Sequence, residues 1–185
     1  MKKSMVVTVC ILLFAAVATN AAETEKSRLR AHLTGAQETN GPSTVITSAT
    51  GTFTATVNDD SSITYTLSYK NLSSAVQQAH IHIGATKVNG GVSIFLCSNL
   101  GNGPAGTPAC PDDATHSGTV THTVMAADVI GPANQGVTAG DIADVVRAIA
   151  SHVTYANVHT ANHPGGEIRG QIRQRGDDDD DELPE

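Results

Sequence analysis

The chain has 185 residues, of which 39% are hydrophobic, 16% charged and 3% aromatic. That supports one core built from Val, Ile, Leu and Ala, and a chain of this length is by default one domain. A net charge of −7 excludes a nucleic-acid binder working through a basic face, and a Gly-, Thr- and Val-rich composition argues against a helical bundle.

The acidity is local. Seven of the 18 acids lie in Asp177 to Glu182 and at Glu185, and without them and without Lys2 and Lys3 the remainder holds 11 acids against nine bases. Lys2 and Lys3 precede an apolar run from Val6 to Ala18, followed by small residues. This is the pattern of a cleaved secretory signal over residues 1–21, too short for a membrane span. No later stretch reaches transmembrane length, so the expected product is exported, periplasmic or extracellular.

Residues 22–28 are a polar lead-in, and the domain is expected over 29–174. Alternation predicts a strand over 28–34, a loop over 37–43, and strands over 51–57 and 63–69 around the turn Asn58-Asp59-Asp60-Ser61. Two more strands are expected at 78–83 and 91–96. A Gly/Pro loop then separates Cys97 from Cys110, which in an oxidising compartment form a disulfide. A strand at 118–125 carries His122 between Val120 and Val124, where a hydrogen-bonded core histidine is expected. His32, His116 and His152 are read as surface residues. A single helix is expected, with Thr138 as N-cap and Ile142, Val145, Val146 and Ile149 at helical spacing. Strands at 155–160 and 167–173 close the domain around the turn 162–166. Residues 175–185 are a like-charge tail, expected to be disordered.

The chemistry concentrates on histidines. His80 and His82 share one face of a strand, with Cα atoms about 6.6 Å apart, close enough for both imidazoles to bind one ion at about 2.0–2.1 Å. His159 lies on another strand and His163 four residues beyond. Three or four imidazoles suit copper or zinc, among other transition metals. Glu167 is a candidate to orient a ligand histidine through its second nitrogen. Arg169 either steers an anion or pairs with Glu167 or Asp144. No nucleophile elbow, zinc-protease helix or phosphate loop is present.

The segments LTGAQE (33–38), AHIHIG (79–84) and YANVHTANHPGGEIRGQI (155–172) resemble the CHRD, or chordin-type, domain family, over nearly the whole exported chain. That family occurs as secreted single domains and as repeats. A second resemblance is to copper/zinc superoxide dismutases, through the H-x-H strand, the later Val-His and the late Gly-x-x-Arg. Many short strands with one late helix predict an all-β antiparallel sandwich or barrel, and this resemblance narrows it to a β-sandwich, an Ig-like or superoxide dismutase-like Greek key with one short helix. It further implies copper on His80, His82 and His159, with Arg169 attracting the anion. The long loop with a bridging histidine and a zinc-site aspartate is missing, so the resemblance points to a mononuclear centre. Its substrate would be a small oxygen species. The competing expectation is a non-catalytic extracellular module whose histidines are structural and whose partner is another protein.

Overall fold

A computed structural model describes residues 28–39 and 44–175; the expected signal segment, most of the expected lead-in and the acidic run at 177–182 lie outside the described residues. The chain forms β1 (Arg28–Thr34), β2 (Thr50–Val57), β3 (Ile63–Lys70), β4 (Val76–Ile83), β5 (Gly91–Ser98) and β6 (Gly118–Val124). After these come α1 (Ile142–Ala150), β7 (Thr154–Thr160), β8 (Ile168–Gln171) and the two-residue β9 (Arg173–Gln174). All pairings are antiparallel, in the order β5-β4-β7-β8-β1-β2-β3-β6, with β9 beside β1. The neighbours β3–β6, β4–β7 and β8–β1 are not consecutive in the chain, so the connections cross between the halves of a nearly closed sandwich.

Alternation sets the inner face. Leu29, Ala31 and Leu33 of β1, Phe53 and Ala55 of β2, and Ile63, Tyr65, Leu67 and Tyr69 of β3 are buried in one cluster. Ala79 and Ile81, Ile94 and Leu96, and Ala156 and Val158 meet them from the other half. The Tyr65 hydroxyl donates to the Leu96 carbonyl and ties β3 to β5 across this core.

The helix begins later than its sequence suggests. Asp141, not Thr138, is the N-cap, its carboxylate accepting from the Ala143 and Asp144 amides at 2.9 and 3.4 Å. Gly140, with φ of 83°, turns the chain just before it. The Thr138 amide instead donates to the Asp144 carboxylate at 2.8 Å. Ile142, Val145, Ala148 and Ile149 then bury one helical stripe.

The disulfide joins Cys97 to Cys110, with Cα atoms 5.0 Å apart, and closes the loop between β5 and β6. Asn99 reinforces it, accepting from the Cys110 amide and donating to the Cys110 carbonyl. Among the described residues no helix is long and apolar enough to cross a membrane. Replacing both cysteines by serine is expected to lower stability by about 3 kcal/mol, read from the urea midpoint together with the slope, which should rise as the unfolded chain expands.

Candidate metal centre

The outer face of β4, β7 and β8 is polar yet buried. In β4 the side chains alternate, so Ala79, Ile81 and Ile83 face the core while His80 and His82 face outward. The register sets Asn157 beside His80, Tyr155 beside His82, and His159 beside Gln78 on β7, with Arg169 next to Asn157 on β8. Solvent does not wet this face: His80 is 2% exposed, His82 8% and His159 5%. The segment 84–90, Phe95 and the 162–166 turn enclose it, with the His80 ring edge-on to Phe95 at 4.4 Å between centroids.

Hydrogen bonds determine where the ring protons sit. The His159 Nδ1 lies 3.0 Å from the Pro164 carbonyl and the His82 Nδ1 2.9 Å from the Gly90 carbonyl. A carbonyl only accepts, so both Nδ1 atoms carry the proton and both Nε2 atoms present bare lone pairs. The His80 Nδ1 is 3.0 Å from the His159 Nε2 and donates to it, which leaves the His80 Nε2 bare as well. The Asn157 Oδ1 lies 3.1 Å from the same His159 nitrogen; with that nitrogen bare, the amide must turn end for end to present its NH2 group. Among the described residues the His80 Nε2 and the His82 Nε2 are buried with no hydrogen-bond partner.

One ligand atom from each ring lies within 4.8 Å of the others. Two nitrogens bound at about 2.05 Å to one ion are at most about 4.1 Å apart. At tetrahedral angles the spacing is about 3.3 Å, so the group must tighten by about 1.5 Å at its widest to close on an ion. The 3.0 Å edge from the His80 Nδ1 to the His159 Nε2 would match two ligands subtending about 94° at that bond length once the His80 proton moves to its Nε2.

His163 and Glu167 do not join this group. His163 lies in the β7–β8 turn, where its backbone exchanges hydrogen bonds with Thr160. It is not among the side chains whose ligand atoms converge. Glu167 is fully buried and contacts no histidine. Its carboxylate accepts from the Thr47, Ser73 and Thr160 hydroxyls at 2.8–2.9 Å and from the Ser73 amide. It knits three distant segments instead of orienting a ligand, a task that backbone carbonyls perform here.

Arg169 is 2% exposed and pairs with neither Glu167 nor Asp144, the latter being taken by Arg147. Its guanidinium donates to the Ala85 and Val88 carbonyls at 3.0 Å, to the Thr39 hydroxyl at 2.7 Å, and at 3.4 Å to the Asn89 side chain. It also lies 3.4 Å above the Tyr155 ring, which stacks on His82 with centroids 4.8 Å apart. Arg169 thus pins the 84–90 segment, and that segment places the Gly90 carbonyl on His82. A side chain at Gly90 would collide with the Ile83 carbonyl, so this close approach requires glycine.

Sequence reading missed Tyr155 and Asn157 as site residues, although the same two-residue period that selects His159 selects them. His122 is half-buried, edge-on to Tyr65, and His32 is exposed as expected.

Burial dominates the titration of the cluster. It pushes the His80 pKa down to about 2, helped by His159 and His82, and His159 down to about 4. It also lowers that of His82, against the bond to Gly90, and the Arg169 charge lowers it further. Each folded value lies below the ordinary 6.5, so the unfolded chain takes up protons first. Their contribution to stability is therefore complete above pH 6.5 and is lost on acidification below it. Metal-free protein is expected to lose roughly 3 kcal/mol between pH 7.5 and 5.5, near the limit of about 1.4 kcal/mol per histidine per unit. Urea unfolding at the two pH values checks this, and a His80→Ala/His82→Ala variant should show a much flatter profile.

No curated protein and no solved structure matches the chain. The family model of the CHRD domain matches residues 29–172, from the first core residue of β1 to Ile172 between β8 and β9. That span takes in all three converging histidines and Arg169, and the chain belongs to the CHRD domain family.

Proposed function

We propose that this CHRD domain is exported and binds one transition-metal ion, copper in the first instance and zinc in the second, through His80, His82 and His159. The observation that carries the reading is that one nitrogen from each of three buried rings lies within 4.8 Å of the others, with buried ring acceptors on His80 and His82 that have no donor. A buried acceptor without a donor is costly, and a cation supplies what these acceptors lack. The donor set is all imidazole, with neither carboxylate nor thiolate, which suits copper or zinc over calcium or magnesium. Carbonyl partners on two second nitrogens resemble the outer shell that orients metal-binding histidines. The signal-like amino terminus, the disulfide and the extracellular habit of CHRD domains support export.

Bound copper would supply one-electron chemistry, and three protein ligands leave a position for a small oxygen species such as superoxide. The protein's own contribution is to keep three imidazoles neutral, to exclude water with the 84–90 segment, and to hold a fixed positive charge on Arg169 one ring away from His82. That charge favours an anionic substrate.

A second reading rests on one observation, the 3.0 Å His80–His159 bond. In it the rings form a hydrogen-bonded cluster that shapes a non-catalytic extracellular module. The two readings part on metal content. Elemental analysis of the mature protein from the periplasm is expected to find one equivalent of copper. It should be lost in His80→Ala/His82→Ala and kept in His163→Ala. No stoichiometric metal after loading with copper or zinc would overturn the proposal in favour of the structural cluster.

A further inference from the structure

Asn157 stands at the centre of the histidine face. It lies between Tyr155 and His159 on one side of β7, beside His80 on β4 and Arg169 on β8. It is 2% exposed, as deeply buried as His80. Its Oδ1 is 3.1 Å from the His159 Nε2. Burial lowers the His82 pKa, and the Asn157 side chain works against that shift, as an acceptor beside the ring does. The His159 Nδ1 keeps the ring proton on the Pro164 carbonyl, so its Nε2 is an acceptor, and Oδ1 is an acceptor too. Two buried acceptors facing each other repel unless a cation shares their lone pairs or the amide turns its NH2 group inward. The 3.1 Å from that nitrogen to Oδ1 and the 3.0 Å to the His80 Nδ1 are both close to the about 3.3 Å that two ligands span at tetrahedral angles.

We propose that Asn157 is the fourth ligand of the ion, through Oδ1, and that its amide turns end for end when the ion binds. The inference rests on the reading of His80, His82 and His159 as metal ligands and adds the donor that completes a four-coordinate shell. In metal-free protein the NH2 group faces the His159 Nε2 and satisfies it. In the loaded protein the oxygen faces the ion and the NH2 group turns away. The change is a half-turn about a broad, two-fold side-chain torsion and needs no backbone movement. An amide oxygen adds a ligand without adding charge to the buried face. Carbonyl-type oxygen suits copper and zinc less well than imidazole does, so a small anion reaching the ion displaces the amide and leaves the three imidazoles in place. Asn157 thereby occupies, at rest, the position that a small oxygen species takes during reaction.

The test follows the Asn157 side chain itself, by carbon-13 and nitrogen-15 NMR of the full exported chain before and after one equivalent of zinc. The Asn157 Cγ resonance is expected to move more than that of any other asparagine, and its NH2 protons to lose their contact with the His159 ring. Zinc affinity should fall at least about tenfold in Asn157→Ala, since loss of even an outer partner of a ligand costs that much. It should hold at the wild-type level or rise in Asn157→Asp, which keeps an oxygen in place and lacks the NH2 group. A purely structural amide would leave Cγ unmoved by zinc and would make Asn157→Asp as damaging as Asn157→Ala, and either result overturns the proposal. Wild-type protein that takes up no zinc would overturn the metal reading and this inference together. Zinc held by the three histidines beside an unmoved Asn157 Cγ would overturn this inference alone.

Discussion

The histidine face depends on one buried cation. Arg169 satisfies its guanidinium with two backbone carbonyls, a hydroxyl and an amide oxygen, and lies against the Tyr155 ring. Burial lowers its pKa from the ordinary value, and Tyr155 and the nearby Glu38 charge oppose that shift. A planar, permanently charged fork can make these contacts together, and a lysine cannot. They clamp the 84–90 segment over the sheet, and the Gly90 amide adds a bond to the Tyr155 hydroxyl. Without that cover the outer face of β4 and β7 would be an ordinary wet sheet surface, and its imidazoles would titrate like exposed ones.

Under the cover, burial and hydrogen bonding act in the same direction. Burial keeps the rings neutral, which removes the proton as a competitor for their lone pairs. The carbonyls of Gly90 and Pro164 hold the remaining protons on Nδ1, so the Nε2 atoms of His82 and His159 point inward bare. The His80–His159 bond satisfies one of these atoms in the absence of a cation. Ligation would replace that bond, by a change of tautomer at His80, without moving the backbone. The cluster is thereby poised between a dry hydrogen-bonded arrangement and a three-nitrogen site.

Much of this was legible in the chain, because the strands alternate cleanly. TFTATV and ITYTLSY leave one register in which Phe53, Ala55, Tyr65 and Leu67 face inward, and the observed edges of β2 and β3 differ by one residue from those expected. The H-x-H spacing and the strand bearing His159 located the cluster. What remained hidden was set by distant contacts. Arg169 reads as an anion-steering residue or an ion-pair partner of Glu167 or Asp144 until Thr39, 130 residues away, is found beside it. Glu167 sits next to the histidine strand in sequence, but Thr47 and Ser73 draw its carboxylate elsewhere. His163 has ligand-like spacing from His159, yet the turn is closed by its own backbone bonds to Thr160, which carry the ring away from the cluster.

The central claim is that His80, His82 and His159 are neutral imidazoles with their lone pairs converging on one point. Nitrogen-15 NMR of the imidazole rings tests it most directly, on metal-free protein between pH 8 and 5 and again after one equivalent of zinc or copper(I). The account predicts three neutral rings throughout, with the proton on Nδ1 of His82 and His159, and a shift of their bare Nε2 resonances on adding the ion. Rings that become imidazolium near pH 6.5, or Nε2 signals that already carry a proton and ignore the ion, would contradict it.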